Sequence, residues 1–180
     1  MKLATLAIIV NETGEQVLLG HKKKGEIGAQ TLNGPGGKCE VGESLVECVV
    51  RETKEEMEID LFEQDLEKVA VITFYAAGEP DFEVHVFRTQ VWGGDPQETA
   101  DMVPGWYPVD DLPLERMLES DRQWFAKAVA GEKFVANVYY KHRAAHFEKI
   151  EFLPFEYPRD FYLPNSRSAM ARNAKTIPTI

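Results

Sequence analysis

The chain has 180 residues, of which 30 are Asp or Glu and 20 are Lys or Arg, for a formal charge of −10. That balance argues against a basic surface for a nucleic-acid polymer, and no apolar run approaches the ~20 residues that span a bilayer. Two cysteines, Cys39 and Cys48, build no disulfide framework, so a reducing cytoplasm is the expected compartment.

In chain order, Leu3 to Val10 is rich in Ile and Val and reads as a first strand; the Asn11-Glu12-Thr13 after it offers no small-residue cleavage site of a signal peptide. Asn11 to Gly14 turns into Glu15 to Leu19, which makes a hairpin. His21 to Gly28 reads as a basic loop containing Lys22-Lys23-Lys24. Asn33-Gly34-Pro35-Gly36-Gly37 is too rich in Gly and Pro for helix or regular strand. Ser44 with Glu47 forms a capping box, and Leu45, Cys48, Val49, Thr53 and Met57 recur at helical spacing, so a helix is expected from Ser44 to Met57. Lys68 to Ala76 and Phe82 to Val91 read as strands joined by a turn at Gly78-Glu79-Pro80. Trp92 to Pro96 reads as a loop, Trp106 to Pro108 as a short extended piece, and Asp121 to Ala130 as a second helix ending at Gly131. Phe134 to Lys141 and His146 to Phe152 close the domain as a hairpin. Together these predict an α+β domain over residues 1–157, with helices on a mixed, largely antiparallel sheet and a surface tail over 158–180.

The acid is concentrated. Residues 40–67 hold eleven acids and two bases, a net −9, while the rest of the chain is close to neutral. Within that segment Glu52, Glu55 and Glu56 sit at i, i+3 and i+4, so their carboxylates leave one helix face. Three such carboxylates are hard oxygen ligands suited to Mg²⁺ or Mn²⁺. Arg51 can reach back to Glu43 or forward to Glu55 and orient a carboxylate. Gly36 and Gly37 permit close backbone approach to an anion or metal, and Lys38 stands ready for a phosphate, so the expected ligand is a polyphosphate. On spacing alone Asn33 fits a turn or, by its paired donor and acceptor, a base-reading amide, and Asp121, followed by a helix, fits an N-cap. Cys39 and Cys48 lack a base at suggestive spacing, and the four histidines show no metal spacing.

Gly37, Glu43 and the run Arg51-Glu52-Thr53-Lys54-Glu55-Glu56-Met57-Glu58-Ile59 resemble the Nudix box, Gly-x5-Glu-x7-Arg-Glu-U-x-Glu-Glu-x-Gly-U. Thr53 stands at an aliphatic position and Glu58 at the final Gly. The hydroxyl of Thr53 falls on the core side, and Glu58 costs roughly 1 kcal/mol if the left-handed helix end persists. Further segments from Val17 to Phe125 resemble the MutT-homologue branch that hydrolyses oxidised purine nucleoside triphosphates. The resemblance implies an α/β/α sandwich, a nucleotide substrate and Mg²⁺ (Mn²⁺ substituting) on Glu52, Glu55, Glu56, the Gly36 carbonyl and Asp101, with Glu98 a second candidate. It also implies a substrate site of Thr5, Lys22, Asn33, Gly37, Lys38, Leu118 and Asp121. Leu118 and Ile27 replace the branch's Trp and Phe, and Ser120 replaces an acid. The implied reaction releases a monophosphate and pyrophosphate from a monomeric or homodimeric enzyme. Another nucleoside diphosphate derivative as substrate, or a silent nucleotide-sensing module, are the alternatives.

Overall fold

The computed structural model describes residues 1–25 and 27–154. The expected tail over 158–180 and the end of the expected domain lie outside them. Ten strands and two helices follow in order: β1 (Lys2–Val10), β2 (Gln16–Lys22), β3 (Leu32–Asn33), α1 (Leu45–Met57), β4 (Asp60–Leu61), β5 (Glu67–Ala76), β6 (Glu79–Thr89), β7 (Trp92–Gly93), β8 (Met102–Pro108), α2 (Asp121–Val129), β9 (Phe134–His142) and β10 (Ala145–Leu153). The main sheet runs β10-β9-β5-β6-β1-β2-β3, with β8 also on β2. The β1–β6 and β5–β9 contacts are parallel and the other ladders antiparallel.

Alternation along the central strands makes the sandwich. Leu6, Ile8 and Val10 of β1, with Val17 and Leu19 of β2, pack against Trp124, Phe125, Ala128 and Val129 of α2. Ala7, Ile9 and Leu18, the residues between them, pack against Val49 and Met57 of α1. A sheet apolar on both faces needs cover on both, which the two helices supply. Among the described residues no helix is long and apolar enough to cross a membrane.

Ser44 caps α1 as the sequence predicts: its Oγ accepts from Glu47 N (3.2 Å), and its own N donates to Glu47 Oε2 (2.8 Å). Both departures from the box are visible. Glu58 ends the helix at φ 59°, ψ 19°, so a non-glycine side chain occupies left-handed backbone, with Lys54 Nζ donating to its carbonyl at 3.2 Å. Thr53 is fully buried and its hydroxyl has no hydrogen-bond partner among the described residues. That is the cost expected of a hydroxyl in an aliphatic place.

Several expectations need correction. His21 and Lys22 belong to β2, not to a loop, because β8 continues pairing there: His21 faces Val103 and Lys22 faces Met102. Asn33 is in a short strand beside Gly20. Trp92 and Gly93 pair with Leu61 and Asp60, a two-residue ladder too short to leave a periodic signal. The turn before β6 sits at Ala77-Gly78, and Glu79 and Pro80 are already strand.

Candidate functional site

β1 and β2 pair only at Ile9–Leu18 and Val10–Val17. Nearer the start of β1 its free edge is taken by residues 34–39. Ala7 N donates to Pro35 O (2.8 Å), Thr5 N to Gly37 O (2.9 Å), and Cys39 N to Leu3 O (3.0 Å). The fit requires glycine at Gly36, where a side chain would strike backbone, while at Gly37 a side chain would push the Glu52 carboxylate aside. A Cβ on Gly36 would sit 2.2 Å from Thr5 O, and one on Gly37 would sit 2.4 Å from Glu52 Oε2. The Gly-rich segment is therefore a wedge between β1 and the acidic face of α1.

Arg51 organises that face. Its Nε and Nη2 donate to the two oxygens of Glu43 at 2.7 and 3.0 Å. Nη1 donates to Glu52 Oε1 (2.9 Å) and Glu55 Oε2 (3.1 Å), and Nη2 also reaches Lys38 O (3.1 Å). One cation thus fixes three carboxylates and ties helix to wedge. The guanidinium, helped by the Glu40 backbone N–H, holds Glu43 down at about 2. Glu56 is different. It is buried, accepts from Gly36 N at 2.8 Å, and lies 3.7 Å from Lys22 Nζ. Burial raises its pKa, Lys22 and Gly36 oppose that, and Glu52 and Asp101 crowd it with like charge.

Asp101 carries an ion pair to Lys24 (2.9 Å), and Glu98 one to Lys23. Their loop is pinned to the end of α1 by Thr99, whose hydroxyl donates to Glu56 O at 2.9 Å. Each of Lys22, Lys23 and Lys24 thus has an acidic partner, of which only Glu56, the partner of Lys22, belongs to the 40–67 segment. Among the described residues, no three oxygens drawn from Glu52, Glu55, Glu56 and Asp101 lie within 4.8 Å of one another. The carboxylates share a face and crowd it without meeting at one point.

Beside this face, on the α2 side, is a cavity of about 240 Å³. Lys22, Gly36, Gly37 and Lys38 line it, so it adjoins the acidic helix; Asn33, Ile27, Leu118 and Asp121 line it too. Asn33 and Asp121, 88 positions apart, meet at 3.4 Å (Nδ2 to Oδ2). Asp121 is the first residue of α2, not its N-cap; Ser120 precedes it, and Ser120 Oγ donates to Asp121 Oδ1 at 3.0 Å. Tyr140 OH in turn donates to Ser120 Oγ at 2.8 Å. Burial pushes the Asp121 carboxyl up to about 7.

Not every expected contact points into the cavity. Thr5 borders it, but its hydroxyl donates to Cys48 Sγ (3.2 Å) on the α1 side. Lys38 Nζ lies 5.6 Å from the Phe82 ring at the cavity wall. Sequence reasoning missed Phe74 and Tyr140, which supply aromatic surface there, and Thr99. Alternation could have found the first two. Phe74 shares a face with Ile72, and Tyr140 with Val138, both of which pack toward α2.

The family model described as NUDIX domain matches residues 1–128. An oxidized purine nucleoside triphosphate hydrolase of Danio rerio is 36% identical over 135 residues, covering 74% of this chain and 83% of that protein. The protein of the same name from Mus musculus is 34% identical over 134 residues, with the same coverage. Among solved structures, a MutT protein from Bacillus halodurans superposes with a TM-score of 0.72 at 21% identity, covering 87% of this chain and 100% of its own.

Proposed function

Because the chain belongs to the NUDIX domain family and is a hydrolase of that family, we propose that it cleaves a phosphoanhydride of a purine nucleoside triphosphate, most favourably one with an oxidised base. The observation that carries this reading is adjacency: the acidic face of α1 adjoins a largely apolar cavity whose wall presents a paired amide and carboxyl, Asn33 and Asp121. An amide beside a carboxyl matches the donor–acceptor edge of a purine.

The residues present fit a hard divalent cation. The donors are carboxylate oxygens with the Gly36 carbonyl, and the like charge around Glu56 calls for a cation. Glu52, Glu55, Glu56, Asp101 and the Gly36 carbonyl would hold Mg²⁺, or Mn²⁺ in its place. Bound there, it would supply charge neutralisation for the leaving phosphates and acidify a water.

This chain's own groups do the rest. Lys22 and Lys38, which line the cavity where it meets the wedge, take the polyphosphate charge. Arg51 keeps Glu52 and Glu55 oriented. A carboxylate of Glu52, Glu55 or Glu56 accepts the proton as water attacks phosphorus, and burial raises the basicity of Glu56. The anhydride bond breaks, and monophosphate and pyrophosphate leave. In the cavity Phe74, Trp124 and Tyr140 surround the base, with the aliphatic Leu118 and Ile27 beside them.

A hydrolysis screen with Mg²⁺ across dGTP, 8-oxo-dGTP, 2-oxo-dATP, dinucleoside polyphosphates and nucleotide sugars tests this reading. The expected result is highest kcat/KM on an oxidised purine triphosphate. Clear preference for a dinucleotide or sugar substrate overturns the substrate assignment. No metal-dependent release from any of them overturns the hydrolytic one.

A further inference from the structure

Cys39 and Cys48, unused by the proposed hydrolysis, meet Glu43 at the foot of the Arg51 network, with one ligand atom of each within 4.8 Å of the others. Local geometry puts them there. The wedge lies extended beside β1, with Lys38 bridging Ala4, so its alternate residues face the same way. Gly37 faces Glu52. Cys39, two residues on, faces Cys48, which stands about one helical turn before Glu52. Cys48 is fully buried, whereas Cys39 is part-exposed and opens the group to solvent. Thr5 Oγ1 donates to Cys48 Sγ (3.2 Å), and Arg51 Nη2 lies 3.9 Å from that sulfur.

We propose that Cys39, Cys48 and Glu43 form a binding site for one thiophilic divalent cation of the Zn²⁺ class. Two sulfurs and one carboxylate are the donor set of a three-ligand zinc centre with one open position, and sulfur selects against Mg²⁺. On binding, both thiols release their protons and two metal–sulfur bonds form, with no redox change. The charges close: two thiolates and one carboxylate against a dication and the neighbouring Arg51 sum to zero. The site is coupled to the acidic face. Both Glu43 oxygens now accept from Arg51, so coordination through either one loosens the guanidinium that also holds Glu52 and Glu55. Occupancy therefore slows turnover.

The test uses the full chain, kept reduced by a phosphine, in excess Mg²⁺. Cd²⁺ is titrated while the ultraviolet thiolate-to-metal charge-transfer band is followed, a readout independent of any hydrolysis and so of the function proposed above. The band is expected to saturate at one equivalent and to vanish in Cys39→Ser. Zn²⁺ affinity, measured against a chromophoric chelator, is expected to fall at least about 100-fold in the same variant. Cys39→Ser should keep its Mg²⁺-supported rate but lose inhibition by stoichiometric Zn²⁺. Absence of the band at one equivalent, or a band unchanged in Cys39→Ser, overturns the site. Equal Zn²⁺ inhibition of wild type and variant overturns its coupling to Arg51. Cys48→Ala repeats the spectral test, and if burial makes it unfold, the part-exposed Cys39 position decides alone.

Discussion

On the α1 side the groups that matter lie within one helix and the wedge beside it, and they hold one another by charge: Arg51 binds Glu43, Glu52 and Glu55 directly. On the α2 side the cavity gathers Asn33, Phe74, Leu118, Asp121 and Tyr140 from separate stretches of chain, and burial sets its chemistry, as the raised Asp121 carboxyl shows. The first region depends on residue spacing and the second on the whole sheet. A charge network leaves little room for substitution, because removing one member strands the others. A cavity wall tolerates exchange of one apolar side chain for another, so binding preference can drift while chemistry stays.

The largest expected effect breaks the α1 half. Glu56→Gln keeps an acceptor for Gly36 N but loses the ionisable group, so turnover at saturating Mg²⁺ should fall by about 10³-fold while the circular dichroism spectrum is unchanged. A wild-type rate would remove Glu56 from the chemistry.

Next comes the buried carboxyl of the α2 half. Its folded pKa of about 7 exceeds the ordinary carboxylate value, so the folded state holds a proton that the unfolded chain has released. Stability is then full below the unfolded pKa near 4 and is lost as pH rises through about 7. Asp121→Asn should unfold in urea much like wild type at pH 4. At pH 8 it should be more stable by on the order of 3 kcal/mol. A constant difference across that range would place the Asp121 carboxyl in an ordinary solvated environment.

Smaller still, Leu118→Trp adds an aromatic platform to the cavity wall. Stacking of ~1–2 kcal/mol should lower KM for a purine triphosphate about tenfold, with kcat little changed. The smallest effect is on the α1 core. Thr53→Val removes a buried hydroxyl without a partner, and melting should rise a few degrees, about 1 kcal/mol. The last two substitutions sharpen the comparison: one should move binding alone, the other stability alone.

The acidic half was legible in the sequence because its determinants are short-range. The spacing of Glu52, Glu55 and Glu56, the Ser44–Glu47 box and the Arg51–Glu43 pairing all appear as read. Even the two blemishes, Thr53 and Glu58, fall where a helical wheel puts them. The cavity was legible only in part. Asn33 on β3 and Asp121 on α2 meet across 88 positions of sequence, and no local pattern announces that Tyr140 donates to the neighbouring Ser120. Likewise β4 and β7 are too short for periodicity, and only their mutual hydrogen bonding makes them strands.

The wedge has one more consequence. Its backbone is bonded to β1 at Leu3, Thr5 and Ala7 as a strand would be, so the segment that looks most like a flexible loop should exchange its amide protons with the core. Cys39 N–H and the Thr5 and Ala7 N–H groups should persist in deuterated buffer for as long as the central ladder does. Under the proposed reading the wedge is then already rigid before a nucleotide arrives, and little ordering entropy would remain to be lost on binding.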